Sequence, residues 1–468
     1  MKTKYFLAID IGASSGRHIL GSVDNGVLTL EEVYRFKNGA VEKGGKLIWD
    51  TGSLFQSILE GLKKCKEIGK IPCSVGIDTW GVDYALLDEN DNLINEVYSY
   101  RDQRTLAIMD ELHSIISEDV LYERTGIAKQ VYNTIYQLYE DKKSGKMQKA
   151  KTMLFVPDYL HFLLTGKKTN EYTIASTSGL INSKDKTWDY EIIEKLGLKK
   201  ELFNTLSLAG TDLGVVKPEI AKEIGYETTV CIPCCHDTGS ADLAVPNANG
   251  PLYISSGTWS LMGLETETAI TSKLAKEQGF TNEGGYAKTV RFLQNIMGLW
   301  MIQSVKKEIG QGYSFGEICE MASNADISSI VDVNDGRFLA PSDMTEEVKT
   351  ACADSGMQVP KELAEVAAVI YNSLAHCYGQ TVSELEMLTG KTFDGIHIVG
   401  GGANAEYLNA LTAKATGKTV YAGPTEATAI GNLAVQMIAE GELENLREAR
   451  DCIYRSFEIK KYEAEDRV

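Results

Sequence analysis

Asp10-Ile11-Gly12-Ala13-Ser14-Ser15-Gly16-Arg17 sets a carboxylate at the end of an apolar run and follows it with small residues, two hydroxyls and an arginine. Small side chains let backbone N–H groups approach an anion, Ser14 and Ser15 add donors, and the carboxylate can hold a metal ion beside them. Taken alone, a Gly/Ser turn is more often a plain hairpin. A second turn, Ser255-Ser256-Gly257-Thr258, repeats the pattern far along the chain, and two such turns across a cleft could grip both ends of a polyphosphate. No G-x-x-x-x-G-K-[ST] occurs, which excludes a P-loop enzyme. Gly400-Gly401-Gly402-Ala403-Asn404 reads first as a tight strand-to-helix turn with Asn404 as cap, and leaves room for a purine to approach the backbone. His236-Asp237-Thr238 offers a carboxylate that can cap a helix, act as a general base on a hydroxyl, or do both. Asp78-Thr79-Trp80-Gly81-Val82-Asp83 combines polar edges with an indole face, which suits a sugar, although a lone tryptophan is more often core. Arg101-Asp102-Gln103-Arg104 reads as a surface ion-pair cluster. Gln294 to Trp300 is expected to open a helix, with Asn295 and Gln303 as its polar exceptions.

The elements that must position these residues alternate between strand and helix patterns. Lys4–Ile9, His18–Val23 and Val27–Phe36 read as a strand meander with a turn at Asp24-Asn25-Gly26. Thr51–Glu67 has helical periodicity, and Cys73–Asp78 is a strand ending in an acid. Residues 105–206 read as mostly helical and inserted between sheet segments. Pro246 to Pro251 is the strongest linker signal, and the second half opens as the first did, with strands Leu252–Ser255 and Trp259–Glu265. A long apolar stripe from Leu363 to Leu388 predicts a helix leading into the strand Phe393–Val399. Two related α/β domains, residues 1–245 and 246–468, flanking a cleft are the expected architecture.

The 468 residues, 43% hydrophobic and 24% charged, have the balance of a packed globular protein with more than one core. A formal charge of -18 disfavours nucleic acid and anionic membrane as partners. The apolar run at the start is too short for a leader or a span, so a cytoplasmic location is expected. Nine scattered cysteines read as reduced thiols. Cys231-Ile232-Pro233-Cys234-Cys235-His236 has C-x-x-C spacing without a second ligand pair, which argues against a metal knuckle.

In their order along the chain, the Asp10–Arg17 stretch, Asp78–Asp83, Tyr100-Arg101-Asp102, Pro157-Asp158-Tyr159, His236-Asp237-Thr238, Ser255–Ser260, Asn295–Trp300 and Gly400–Asn404 resemble the FGGY carbohydrate kinases. The resemblance runs from about residue 4 to 450. It implies an actin/hexokinase-like fold of two ribonuclease-H-like domains, sugar bound chiefly by the N-terminal domain and ATP by the C-terminal one. It further implies that Ala13, Ser14, Ser15, Gly16, Arg17 and Thr258 contact phosphates, and that Gln303, Gly401 and Gly402 contact the nucleotide. Asp10 would hold a hydrated Mg2+. Gly81, Asp83, His236, Thr238 and Asn295 would contact a ketose, with Asp237 as both sugar contact and base. The expected partners are a small ketose and ATP, in a monomer or homodimer. A nucleotide-switch ATPase of the same fold is the alternative from another functional class.

Overall fold

The computed structural model describes residues 3–246 and 252–465. The expected linker at Pro246–Pro251 lies outside the described residues except for Pro246 itself. The chain divides into two compact units that are not two contiguous halves. The first comprises Met1–Pro246, Glu265–Phe292 and Thr428–Ser456; the second comprises Asn247–Leu264, Leu293–Ala427 and Phe457–Val468.

In the first unit, Tyr5–Ile11 is buried on both faces from Phe6 onward, the pattern of a central strand. It pairs antiparallel with Ser15–Asp24, which pairs antiparallel with Val27–Lys37. Asn25 and Gly26 take the left-handed conformation that a two-residue hairpin turn requires, with φ of 50° and 75°. On its other side Tyr5–Ile11 pairs in parallel with Pro72–Thr79, which pairs in parallel with Thr229–Cys231. Asp212–Val215 closes that edge. The crossover helix Thr51–Glu67 starts where the Asp50 carboxylate accepts from Ser53 N, and it carries Lys64 and Lys66 in its last turn, favourable at a helix C-terminus. Its stripe Leu54, Ile58, Leu62 and Cys65 is buried, as the period dictates.

The helix Ala427–Ala439 returns to this sheet late in the chain and is pinned by polar groups. Asn432 Nδ2 donates to Gly76 O (3.2 Å) and Asp78 Oδ2 (2.6 Å), and Gln436 Nε2 donates to Leu7 O (3.0 Å). Ser74 Oγ donates to Gln436 Oε1 at 2.8 Å. Gly76 is required here, since a Cβ would stand 2.7 Å from Asn432 Oδ1. At Gly431 a Cβ would overlap the Ser240 carbonyl, so this small-residue helix packs backbone to backbone on the helix Asp237–Leu243.

The second unit repeats the strand plan. Leu252–Ser256 pairs antiparallel with Trp259–Thr266 and in parallel with Gly395–Val399, which pairs in parallel with Thr419–Ala422. Lys460–Tyr462 adds an antiparallel edge. The long helix Leu363–Thr389 ends at Gly390, whose φ of 65° stops it.

Three expectations change. Val290–Met297 is a strand and the helix begins only at Trp300, because a short apolar run has no period that separates strand from buried helix. The break is at Gly298, where a Cβ would crowd the Trp259–Ser260 backbone. Asn404 lies in the 3-10 turn Gly401–Asn404, and the cap of helix Glu406–Thr416 is Ala405. Residues 105–206 hold six short α-helices, but short strands such as Thr152–Phe155 run between them.

Candidate active site

Asp10 and Asp78 occupy matched positions on neighbouring parallel strands, at the ends where both strands stop. Asp10 also stands opposite Arg17 in the hairpin, and Arg17 donates from Nε (3.0 Å) and Nη2 (2.8 Å) to Asp10 Oδ2. The guanidinium read as a phosphate contact is thus engaged with the carboxylate read as the metal ligand. The intervening turn is closed by Gly12 N donating to Ser15 O at 2.9 Å. Ser14 is exposed and Ala13 and Ser15 half-buried, so the turn is open to an anion. Gly16 is buried, and a Cβ there would overlap the Phe36 ring, which explains this glycine by packing.

The strand Thr229–Cys231 leads to Cys235, whose carbonyl accepts from Thr79 N at 2.9 Å, and Thr79 bridges in parallel to His236. Glu171 Oε2 accepts from Cys235 N at 3.1 Å, fixing the chain just before the acid. Asp237 is the first residue of its helix and accepts from Thr238 N at 2.6 Å; it is not the cap, which is His236. Burial, reinforced by the charge of Asp10, pushes the Asp237 carboxyl up to about 6 against the pull of His236. Asp78 is fully buried and raised well above the carboxylate range by desolvation and by Asp10, with Asn432 opposing. Its Oδ1 has no hydrogen-bond partner. Asp10, Asp78 and Asp237 therefore form one acidic cluster on the first unit.

Beside it, a Cβ at Gly81 would lie 3.3 Å from His236 Nε2, which places this half-buried glycine against the imidazole. Asp83 is different. Its Oδ2 accepts from Trp49 Nε1 (2.6 Å), Trp80 Nε1 (2.9 Å) and Tyr100 N (2.9 Å), and its Oδ1 accepts from Gln137 Nε2 (3.0 Å). Burial raises its carboxyl to about 6, with those donors opposing. Both oxygens are engaged, so Asp83 anchors an aromatic frame in which the Trp49 and Trp80 rings stand 4.1 Å apart.

Two residues that sequence reasoning missed complete this group. Arg291, fully buried, donates to Thr238 Oγ1 (2.9 Å), His236 Nδ1 (3.0 Å) and Glu283 Oε2 (2.9 Å). The signal was present: an arginine inside the apolar run Val290–Leu293 can be buried only with partners.

In the second unit, Thr258 is exposed on the turn between its two strands, and its carbonyl accepts from Trp300 N at 3.2 Å. Leu299 N donates to Gly257 O, which ties the helix bearing Gln303 to the same turn. Asn295 is half-buried in the preceding strand. A Cβ at Gly402 would overlap Ser256, whereas Gly401 has open space around it.

One further cluster, Asp158, His161 and Cys235, has potential ligand atoms within 4.8 Å of one another. Ile77 N donates to His161 Nε2 at 3.0 Å, so a metal there would demand Nδ1 stripped of its proton. All nine cysteines are free, and burial pushes the Cys231 thiol up to about 12, which suits inert packing.

The models of the N-terminal and C-terminal domains of the FGGY family of carbohydrate kinases match residues 5–244 and 252–440. The chain is 48% identical over 465 residues to a rhamnulokinase of Halalkalibacterium halodurans, covering 99% of both chains. It is 42% identical over 466 residues to that of Bacillus subtilis, covering 98% of this chain and 96% of the relative. Among solved structures, a xylulose kinase of Lactobacillus acidophilus superposes with a TM-score of 0.82 at 18% identity, covering 98% of this chain and 94% of the other. Plasmodium falciparum glycerol kinase with ADP gives 0.79 at 15%, covering 99% and 94%. Those two likenesses establish the actin/hexokinase-like α/β fold. The full-length relatives and the paired domain matches establish the rest: the chain belongs to the FGGY family of carbohydrate kinases, enzymes that phosphorylate sugars.

Proposed function

We propose that this kinase transfers the γ-phosphate of ATP to the C1 hydroxyl of L-rhamnulose, with Asp237 as the base. The observation that carries the chemistry is the Asp237 carboxyl, raised to about 6 by burial yet still 28% exposed beside His236. Such a group is ionised at neutral pH and more basic than an ordinary aspartate, which suits proton abstraction from a hydroxyl. The substrate is supported by near-full-length identity to proteins named rhamnulokinase.

His236, Thr238, Gly81 and Asn295 hold the ketose, and Asp83 acts on it through the aromatic frame that its oxygens anchor. The open turn Ala13–Ser15 and Thr258 offer donors to phosphate, while Gln303 and Gly401 flank the nucleotide; Gly16 and Gly402 serve by letting these turns pack. The crowding of Asp10, Asp78 and Asp237 is what a hard divalent cation relieves, and an all-oxygen donor set fits Mg2+. Asp10 would hold that ion, which when bound neutralises charge on the transferred phosphoryl group. Asp237 takes the C1 hydroxyl proton as the oxygen attacks in line. The sugar contacts fall in the first unit except for Asn295, which with Thr258, Gln303 and Gly401 belongs to the second; this supports a mainly N-terminal sugar domain and a mainly C-terminal nucleotide domain. We place the enzyme in the cytoplasm, as its free thiols suggest, as a monomer or homodimer without nucleic-acid or membrane partners. Among the described residues no helix is long and apolar enough to cross a membrane.

The test is ADP release across a ketose panel, with the product's phosphorylated carbon located by NMR. L-rhamnulose should give the highest kcat/KM and a 1-phosphate. Faster turnover of L-fuculose or xylulose would reassign the substrate, and sugar-independent ATP hydrolysis at the full rate would favour a nucleotide switch.

A further inference from the structure

We infer that Arg291 is a positioning residue that sets the tautomer of His236, so that the imidazole presents Nε2–H to the substrate. The inference rests on the proposed sugar site in one respect only, that His236 faces the ketose.

Arg291 is fully buried in the strand Val290–Met297, and its donors are directed at named acceptors. Nε donates to Gly284 O at 3.0 Å, Nη1 to Thr238 Oγ1 at 2.9 Å, and Nη2 to Glu283 Oε2 at 2.9 Å. The same Nη2 stands 3.0 Å from His236 Nδ1. A guanidinium carries only donors and does not deprotonate in proteins, so the nitrogen that meets it must offer a lone pair. Thr238 does not discriminate between the ring nitrogens, since its Oγ1 accepts from Arg291 and lies 3.2 Å from His236 Nδ1 and 3.4 Å from Nε2. Arg291 thus treats Nδ1 as an acceptor and leaves the ring proton on Nε2.

Glu283 is the competitor. Its Oε2 lies 3.3 Å from the same Nδ1 and would demand the opposite tautomer if it were the only partner. Arg291 engages that oxygen itself and stands nearer to the ring nitrogen, so it decides between the two. The consequence appears on the other side of the ring. Nε2 faces Asp237 Oδ1 at 3.5 Å and the space kept open by Gly81. A hydroxyl entering there meets a donor in Nε2–H and an acceptor in the Asp237 carboxylate, which orients its proton toward the base. With the other tautomer, the hydroxyl proton would instead be drawn to a bare Nε2.

The test uses full-length protein labelled with 15N-histidine, with the His236 signals assigned by their loss in His236→Gln. Wild type should show the Nε2–H tautomer; an Nδ1–H signal would overturn the inference with no variant needed. Arg291→Met should switch the ring to Nδ1–H, now paired with Glu283, and raise the ketose KM about tenfold, the worth of one lost hydrogen bond, while the ATP KM stays put. Glu283→Gln breaks the same buried ion pair but keeps Arg291, so it should retain the Nε2–H signal and raise the ketose KM less. Equal kinetic losses in the two variants, with the tautomer unmoved in both, would show a merely structural ion pair and refute the positioning role. If the tautomers behave as stated but His236→Gln leaves the ketose KM unchanged, the sugar-site reading fails and the tautomer assignment stands.

Discussion

Asp237→Asn separates the base from the scaffold, because the amide keeps the side chain's volume and its Oδ1 can still accept from Thr238 N, now at 2.6 Å. What is lost is the proton acceptor. Positioned general bases contribute about 10²–10⁴ in rate, or about 3–5 kcal/mol of barrier, and kcat should fall within that range. The structure adds a second signature. With the Asp237 carboxyl near 6, wild-type kcat should rise with pH through that value and stand at about a tenth of its plateau one pH unit below it. The residual rate of the variant should lack this limb. Stability should move the opposite way. The folded carboxyl lies near 6 and the ordinary value is 3.8, so the folded state binds the proton more tightly and Asp237 contributes a penalty that grows as pH rises between those values. At pH 7 the penalty is complete, at most about 3 kcal/mol, and the neutral amide removes it. Asp237→Asn should therefore melt higher than wild type at pH 7 and match it near pH 3. The assay is coupled ADP release from pH 5 to 8 with coupling enzymes in excess, alongside calorimetric ketose binding and thermal melts. A variant with kcat within threefold of wild type (~0.7 kcal/mol) and the same limb would refute the assignment of the base.

Asp10→Asn removes one charged oxygen ligand and should shift the Mg2+ titration of kcat to higher concentration while calorimetric ketose affinity is retained; an unchanged titration would move the metal elsewhere. Gly402→Ala drives a Cβ into Ser256 and should cost about 1–3 kcal/mol in melting experiments, whereas Gly401→Ala meets nothing within 4 Å and should leave stability unchanged while raising the ATP KM. Equal melting losses in these two variants would contradict the packing argument. Asp83→Ala deprives Trp49, Trp80, Tyr100 and Gln137 of their shared acceptor, so it should lower the melting temperature, with each orphaned donor costing about 1–3 kcal/mol. A pure KM effect with unchanged stability would restore Asp83 as a direct sugar contact.

Elements whose signals are local are legible before any fold is known. The turn Asp24-Asn25-Gly26 closes a hairpin because two adjacent residues tolerate left-handed backbone, and Thr51–Glu67 is a helix because one stripe at its period is apolar and its ends are capped and charged suitably. The acids at strand ends, Asp10 and Asp78, were visible for the same reason: a carboxylate ends a buried run. The short apolar run before Gly298 carries no such period, and it forms a strand where a helix is expected. Tertiary structure alone decided which groups meet. Asn432 reaches Asp78 across 354 residues of chain, and Arg291 reaches Thr238 across 53. The four donors on Asp83 come from Trp49, Trp80, Tyr100 and Gln137, and only their convergence makes this acid the anchor of an aromatic frame. Backbone periodicity records which face of an element is buried. It holds no record of the partner, because that choice is made by packing between distant segments, where a buried charge or amide is stable only if the fold brings it a counterpart.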